Sequence, residues 1–254
     1  MKTNLLVPIT QGGEGSPIYF VPSAGSTFFS FVKLARSLKS QLPVHAFDLT
    51  AMEGSKSPHT SIEEIALTFL AEIRAIQKSG PYYLGGHCWG GIVALDIAAK
   101  LEAEGDTVAL LVLLESVPPL GNKVVENLSV TNEEAQSSTF SVEFNKFMEI
   151  TVEQIRQQLS RLPPKHAKRF GRLSWEQMHM GSRYRATHIS APIILFRTPT
   201  HPDVVFQDWK YFSDRGFTEQ IVPGDTFSML SPPYVDILGA ELDKALRVPH
   251  SERC

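Results

Sequence analysis

The sequence predicts an α/β fold in which a mostly parallel central sheet is flanked by helices and interrupted by a helical insertion. Three observations lead there. Short β-rich runs alternate with longer amphipathic runs through the first half of the chain, as expected of strands joined by crossover helices. The alternation lapses after Glu115 and resumes near Ile193. With 254 residues, 43% of them hydrophobic and only 20% charged, the chain can bury a substantial core.

Taken in order, strands are expected at Ile18–Val21, Val44–Phe47, Tyr82–Gly85 and Val108–Leu114, each a short run rich in apolar and β-branched or aromatic residues. Helices are expected between them at Thr27–Leu38, Ser61–Lys78 and Gly90–Glu104. The second opens with Ser61-Ile62-Glu63-Glu64, a capping box in which Ser61 and Glu64 satisfy each other's orphan backbone donors. After Glu115 come Pro118-Pro119, a polar stretch through Ser138, helical segments around Val142–Glu149 and Val152–Leu162, and Pro163-Pro164. This reads as an inserted helical lid. Phe144, Phe147, Met148, Ile155 and Leu159 fall near helical spacing there and are expected to pack the lid onto the body. A strand at Ile193–Arg197, another at Glu219–Val222 and a helix at Tyr234–Leu246 close the chain. The expected division is a core in two parts, 1–117 and 191–254, with the lid at 118–190.

Several function classes are disfavoured by composition. A net charge of −3 and a pI near 6.2 leave no electrostatic footprint for nucleic acid. No apolar run approaches the ~20 residues that span a bilayer, and the N-terminus meets Pro8 and a Gly-rich turn before any signal-peptide core develops. Cys88 and Cys254 make no disulfide framework, and a reducing, cytoplasmic setting is expected for a free thiol.

The chemistry concentrates in Tyr82-Tyr83-Leu84-Gly85-Gly86-His87-Cys88-Trp89-Gly90-Gly91. It reads as a strand entering a helix through G-x-C-x-G, a nucleophile elbow with cysteine where serine is usual. Gly86 and Gly90 are required because the apex is held in a strained turn with backbone packed on both sides. Cys88 is expected at the top of the sheet, with the Trp89 N–H facing a developing oxyanion and the helix N-terminus favouring a thiolate. Glu115, at the end of the next apolar strand, is the candidate acid. Its alternative reading is a simple strand cap.

These pieces resemble the thioesterase domains that end non-ribosomal peptide and polyketide assembly lines. The matching segments are Leu6-Val7-Pro8-Ile9 with Gly12-Gly13, Ile18-Tyr19-Phe20-Val21-Pro22 with Gly25, Gly86-His87-Cys88-Trp89-Gly90-Gly91, Leu113-Leu114-Glu115-Ser116, and Val222-Pro223-Gly224-Asp225 with Phe227-Ser228-Met229-Leu230. The resemblance implies an α/β-hydrolase fold with a helical lid and no bound cofactor. It also implies a substrate presented as an acyl or peptidyl thioester on the 4'-phosphopantetheine of a carrier protein, and a second oxyanion donor from Ser23 or Ala24 in Pro22-Ser23-Ala24-Gly25. The start at Leu6-Val7-Pro8 resembles a terminal-domain boundary. Carrier proteins are generally acidic, and Lys165-His166-Ala167-Lys168-Arg169-Phe170-Gly171-Arg172 is either a docking surface for one or a solvated lid face.

Three departures from the family pattern stand out. Cys88 replaces serine, Glu115 replaces aspartate, and Thr226 stands where Gly-Asp-His would place the general base. Threonine accepts no proton near neutral pH. Of the eight histidines, His87 reads as structural support for the elbow. His201, in the loop after Ile193–Arg197, is a candidate replacement base, with Asp203 an alternative acid; the competing reading for both is a surface loop.

Acylation of a cysteine by a thioester exchanges one thioester for another and keeps the acyl group activated, whereas deacylation by water without a base loses ~10²–10⁴-fold. The expected function is therefore transfer of an acyl group through Cys88 to a nucleophile, as release, cyclisation or transacylation to a small-molecule acceptor or second thiol. Two alternatives stay open: ordinary hydrolysis using a substitute base, or with the base at 226 engineered away, and a non-catalytic carrier-binding module.

Overall fold

The computed structural model describes residues 5–10, 15–40, 42–52, 59–119 and 139–247. The polar stretch read through Ser138 and the side chain of Phe144 lie outside them. The described residues form a seven-stranded sheet: β1 (Leu6–Pro8), β2 (Ile18–Val21), β3 (Val44–Phe47), β4 (Tyr82–His87), β5 (Val108–Leu114), β6 (Ile193–Arg197) and β7 (Phe217–Ile221), in the order β1-β3-β2-β4-β5-β6-β7. All pairings are parallel except that of β1 with β3.

β5 shows why the sheet sits where it does. Its seven residues, Val-Ala-Leu-Leu-Val-Leu-Leu, are all buried, as a central parallel strand covered on both faces requires. Ile18, Phe20, Leu110, Val112 and Leu114 face one side, where α1 (Val32–Ser37) packs on α6 (Tyr234–Arg247). Tyr19, Val21, Leu84, Leu111 and Leu113 face the other, beneath α2 (Ile62–Ile76) and α3 (Trp89–Ala103). α3 is apolar nearly all round and is the most enclosed of these helices, so the elbow that starts it is built into the core.

Several expected elements shift. β1 was not expected; its pairing with β3, rather than its three-residue sequence, makes it a strand. β7 begins two residues early because Phe217, Thr218 and Glu219 extend an exposed edge that carries no apolar run. The first helix is a 3₁₀ turn, Phe28–Phe31, capped by the Thr27 hydroxyl, followed by α1. Ser61 caps α2 by accepting from the Glu64 N–H at 3.3 Å, but the Glu64 carboxylate reaches back to the Thr60 N–H at 2.7 Å, so the box closes one residue further out.

Between β5 and β6 lie two long helices, α4 (Thr139–Ser160) and α5 (Pro164–Arg183). The two short segments expected before Pro163 are one helix, because Ile150-Thr151 contains no breaker. α5 contains Lys165–Arg172, for which a solvated lid helix is one of the two expectations, and runs on to Arg183; Pro164 sits in its first turn, where a missing N–H costs nothing. Among the described residues no helix is long and apolar enough to cross a membrane.

The elbow glycines are set by close approach. A Cβ on Gly86 would lie 2.3 Å from the Gly90 carbonyl, and one on Gly90 would lie 2.2 Å from the Val21 carbonyl. Since the obstacles are backbone, Gly90→Ala is expected to destabilise the domain by about 2–4 kcal/mol, read as a lower Tm in calorimetry with the same Cys88 environment lost. An unchanged Tm would contradict this packing.

Candidate active site

The parallel register carries three loops to one edge. Beyond β4 the Cys88 N–H donates to the Leu114 carbonyl at 2.8 Å, beyond β5 the Glu115 N–H donates to the Phe196 carbonyl at 2.8 Å, and beyond β6 Thr198 follows Arg197. Cys88 and Glu115 are the two described non-glycine residues with positive φ, at 51° and 48°. Each such conformation costs about 1–3 kcal/mol and persists only where the surroundings fix it. At the ends of adjacent strands both residues turn sharply out of the sheet.

Cys88 is partly exposed and lines a cavity of about 270 Å³. Its thiol is not poised as the sequence suggested. Burial pushes it up to about 11, the Glu115 carboxylate adds to the rise, and only the hydrogen bond from the Trp89 N–H opposes it. At neutral pH the protonated thiol is therefore the favoured form. Attack by this sulfur requires a proton acceptor.

The Glu115 carboxylate is wholly buried and fully employed. It accepts from the Thr198 N–H at 2.6 Å, from the Thr198 hydroxyl at 3.1 Å, and pairs with His201 Nδ1 at 2.7 Å. His201 is thus no surface loop residue. Its side chain has no exposed area, Phe147 of α4 lies over its ring at 4.7 Å, and its Nε2 faces the Thr151 hydroxyl at 3.4 Å. With Nδ1–H committed to the carboxylate, Nε2 carries the free lone pair. Thr151 and Phe147 also line the Cys88 cavity, so they stand between it and the imidazole. Asp203 does not join this group: it is mostly exposed and bound to Arg197 at 2.8 Å. The loop after β6 thus divides its two candidates, one inward and one outward.

Thr226 is buried beside the elbow. Its carbonyl accepts a hydrogen bond from His87 Nε2 at 2.7 Å, while its own hydroxyl has no partner among the described residues. Burial pushes His87 down to about 4, so the imidazole is neutral at physiological pH and acts as a donor that pins the C-terminal loop to β4.

The oxyanion candidates have the required property of being unemployed. Neither the Ser23 nor the Ala24 N–H has a partner among the described residues, although both residues are buried. The loop that carries them is held from above by α5. Gln177 accepts from the Gly25 N–H at 2.7 Å, and the Ser174 hydroxyl donates to the Ala24 carbonyl at 3.1 Å. Gly25, at φ 72°, leaves no room for a side chain under Ser174. Thr151, Thr198, Ser174 and Gln177 were all missed in the sequence. The one available signal was the spacing Phe170, Ser174, Gln177, Gly181, a single helical face of small and polar residues.

A second, polar cleft of about 460 Å³ adjoins the elbow through Ser23 and His87, with exposed Lys33 and Arg161 at its rim. Among the described residues no three His, Cys, Asp or Glu side chains converge as a metal site.

The model of the thioesterase domain matches residues 16–240. The chain belongs to the thioesterase domain family. This thioesterase domain is 24% identical over 260 residues to a probable non-canonical nonribosomal peptide synthetase, CymA, of Salinispora arenicola, covering 96% of the chain and 3% of that protein. It is 31% identical over 121 residues to the atromentin synthetase greA of Suillus grevillei, covering 48% of the chain and 13% of that protein. It therefore spans only a small part of these curated relatives. Among solved structures it superposes on the Vlm2 thioesterase domain bound with a dodecadepsipeptide at TM-score 0.71 and 26% identity, covering 97% of this chain and 100% of that one. A covalent complex of the NocB thioesterase domain matches at TM-score 0.71 and 20% identity over 92% of this chain and 96% of that one, a likeness of fold. With these the sheet and its flanking helices are an α/β-hydrolase fold.

The high thiol value sets a pH test. Alkylation of Cys88 by iodoacetamide is expected to rise about tenfold per pH unit from 7 to 10 without a plateau, since the thiolate fraction keeps growing until about 11. Glu115→Gln removes the repulsive charge and is expected to speed alkylation at pH 8, by less than the burial effect slows it. A plateau below pH 9 in the unaltered protein would contradict the assignment.

Proposed function

We propose that this domain takes an acyl group from a carrier-protein phosphopantetheine thioester onto Cys88 and passes it to a second nucleophile, in the release or transfer step of a natural-product assembly line. The observation that carries this reading is Cys88 held at positive φ at the apex of the elbow and lining a cavity, in a chain of the thioesterase domain family. In the first step the Cys88 proton leaves, sulfur attacks the thioester carbonyl, and the oxyanion is held by the Trp89 N–H with Ser23 or Ala24. The carbon–sulfur bond to pantetheine then breaks, and the departing thiolate takes a proton. In the second step an amine, alcohol or thiol attacks the acyl-Cys88 thioester and releases the cysteine.

The proton acceptor in this scheme is the Glu115–His201 pair. A buried carboxylate accepts from Nδ1–H and orients the ring, which is the geometry of an acid–base pair. It takes the place of the base that Thr226 cannot be. The Thr151 hydroxyl faces Nε2 and lines the same cavity as Cys88, while its own proton goes to the Phe147 carbonyl.

Cysteine favours transfer over hydrolysis because acyl-Cys88 is as activated as the incoming thioester. The Glu115–His201 pair gives hydrolysis its own support, and the partition between water and an amine distinguishes the two. Incubation with an acyl N-acetylcysteamine thioester is expected to give a mass adduct on Cys88 that an added amine discharges faster than water. His201→Ala is expected to lower the rate of acylation by about 10²–10⁴-fold, and Glu115→Gln to lower it while raising alkylation. Absence of any adduct on an alkylatable Cys88 would overturn the scheme, and unimpaired acylation of His201→Ala would remove His201 from it.

The polar cleft suits the phosphorylated arm, with Lys33 and Arg161 toward its phosphate, and exposed Lys165 and Lys168 on α5 suit an acidic carrier. Lys33→Glu with Arg161→Glu is expected to raise KM for the carrier-borne thioester about tenfold or more while leaving the N-acetylcysteamine substrate, which has no phosphate, nearly unaffected. Equal losses on both substrates would place the phosphate elsewhere.

A further inference from the structure

The acyl group on Cys88 must occupy the cavity that the sulfur lines. That cavity, about 270 Å³, is walled by Ile92, Val117, Phe147, Met148 and Met178, with Trp89 beside the sulfur. Among the described residues lining it there is no Asp, Glu, Lys, Arg, Asn or Gln. Its polar side-chain groups are few: the Trp89 indole N–H, buried with no partner among the described residues, the Thr151 and Ser182 hydroxyls, and the imidazole of His179. The Thr151 hydroxyl donates to the Phe147 carbonyl at 2.8 Å, and His179 stacks against Trp175, which is 74% exposed. A peptide threaded here would find the Trp89 indole N–H and the His179 ring as side-chain partners and would leave most of its other N–H and C=O groups unpaired, at about 1–3 kcal/mol each. A hydrocarbon would lose nothing and gain about 0.8 kcal/mol per buried methylene.

Volume sets the other limit. At about 30 Å³ per water-sized group, the cavity holds about nine such groups. Gly181, in the lining, abuts Trp89, so that even a Cβ there would come within 3.1 Å of the indole.

We infer that the acyl group accepted by Cys88 is an uncharged hydrocarbon acyl chain of about six to nine carbons, aliphatic or single-ring aromatic, and not a peptidyl chain. The inference rests on the reading of Cys88 as the acylated residue. The methionines set its upper bound, because Met148 and Met178 are the flexible wall, and Gly181 sets the fixed one.

Two measurements test it and separate its failure from that of the underlying reading. The first is acylation of Cys88, followed by intact mass, with octanoyl, phenylacetyl, N-acetylglycyl, acetyl and hexadecanoyl N-acetylcysteamine thioesters. Octanoyl or phenylacetyl is expected to react about tenfold or more faster than N-acetylglycyl and hexadecanoyl. Equal or faster reaction of N-acetylglycyl would overturn the inference and leave the acyl-enzyme reading standing. The second is binding of the corresponding unreactive amides, in which NH replaces the thioester sulfur, followed by fluorescence of the cavity tryptophans Trp89 and Trp175. It needs no chemistry at Cys88. Tighter binding of the octanoyl amide than of the N-acetylglycyl amide, about tenfold, supports the cavity's class even if no thioester acylates the protein; equal binding overturns it. Met178→Ala is expected to move the optimum to longer chains and Gly181→Ala to shorter ones. An optimum that moves in neither variant would place the acyl chain outside this cavity.

Discussion

The hydrogen bonds that hold β4, β5 and β6 in parallel register are the constraint on which the site depends. The Cys88 N–H bound to the Leu114 carbonyl, and the Glu115 N–H bound to the Phe196 carbonyl, fix where each strand ends relative to its neighbour. A shift of one residue would turn each side chain to the other face of the sheet. Because these strands are buried on both faces by continuous apolar sequence, the register is not free to slip, and the positive φ values at Cys88 and Glu115 are tolerated within it. The elbow, the acid and the loop that supplies His201 are thus ordered by the core before any of them interacts.

On that scaffold the site has been rearranged from within. Beside the elbow stands Thr226, whose hydroxyl is buried without a partner among the described residues and whose backbone carbonyl accepts from His87. The imidazole comes from the neighbouring loop, where it meets Glu115. The longer side chain of glutamate, compared with aspartate, suits a partner approaching from β6, and Thr198 holds its other oxygen. Burial and the neighbouring Glu115 carboxylate both push the Cys88 thiol up, toward its protonated form.

The sheet was largely legible because its strands are short apolar runs punctuated by turn residues, and the elbow because glycines at two fixed positions leave few alternatives. β1 and β7 were not, since edge strands owe their existence to a neighbour more than to their own residues. Cys88 and Glu115 could be found from strand ends alone. His201 could be nominated but not distinguished from a surface residue, because what buries it is Phe147, from a helix fifty residues away in sequence. What acts on the Cys88 thiol is legible only in part for a similar reason: the helix N-terminus is visible in sequence, while desolvation depends on what packs above.

The contacts of α5 with the loop Pro22–Gly25 have a mechanical meaning. Gln177 and Ser174 are neutral, short-reach partners that hold one N–H and one carbonyl, and so orient the intervening peptide planes. The roof of the cavity and the alignment of the oxyanion donors are therefore a single degree of freedom. Anything in the cavity large enough to lift α5 would therefore also tilt the peptide planes of Pro22–Gly25 beneath it.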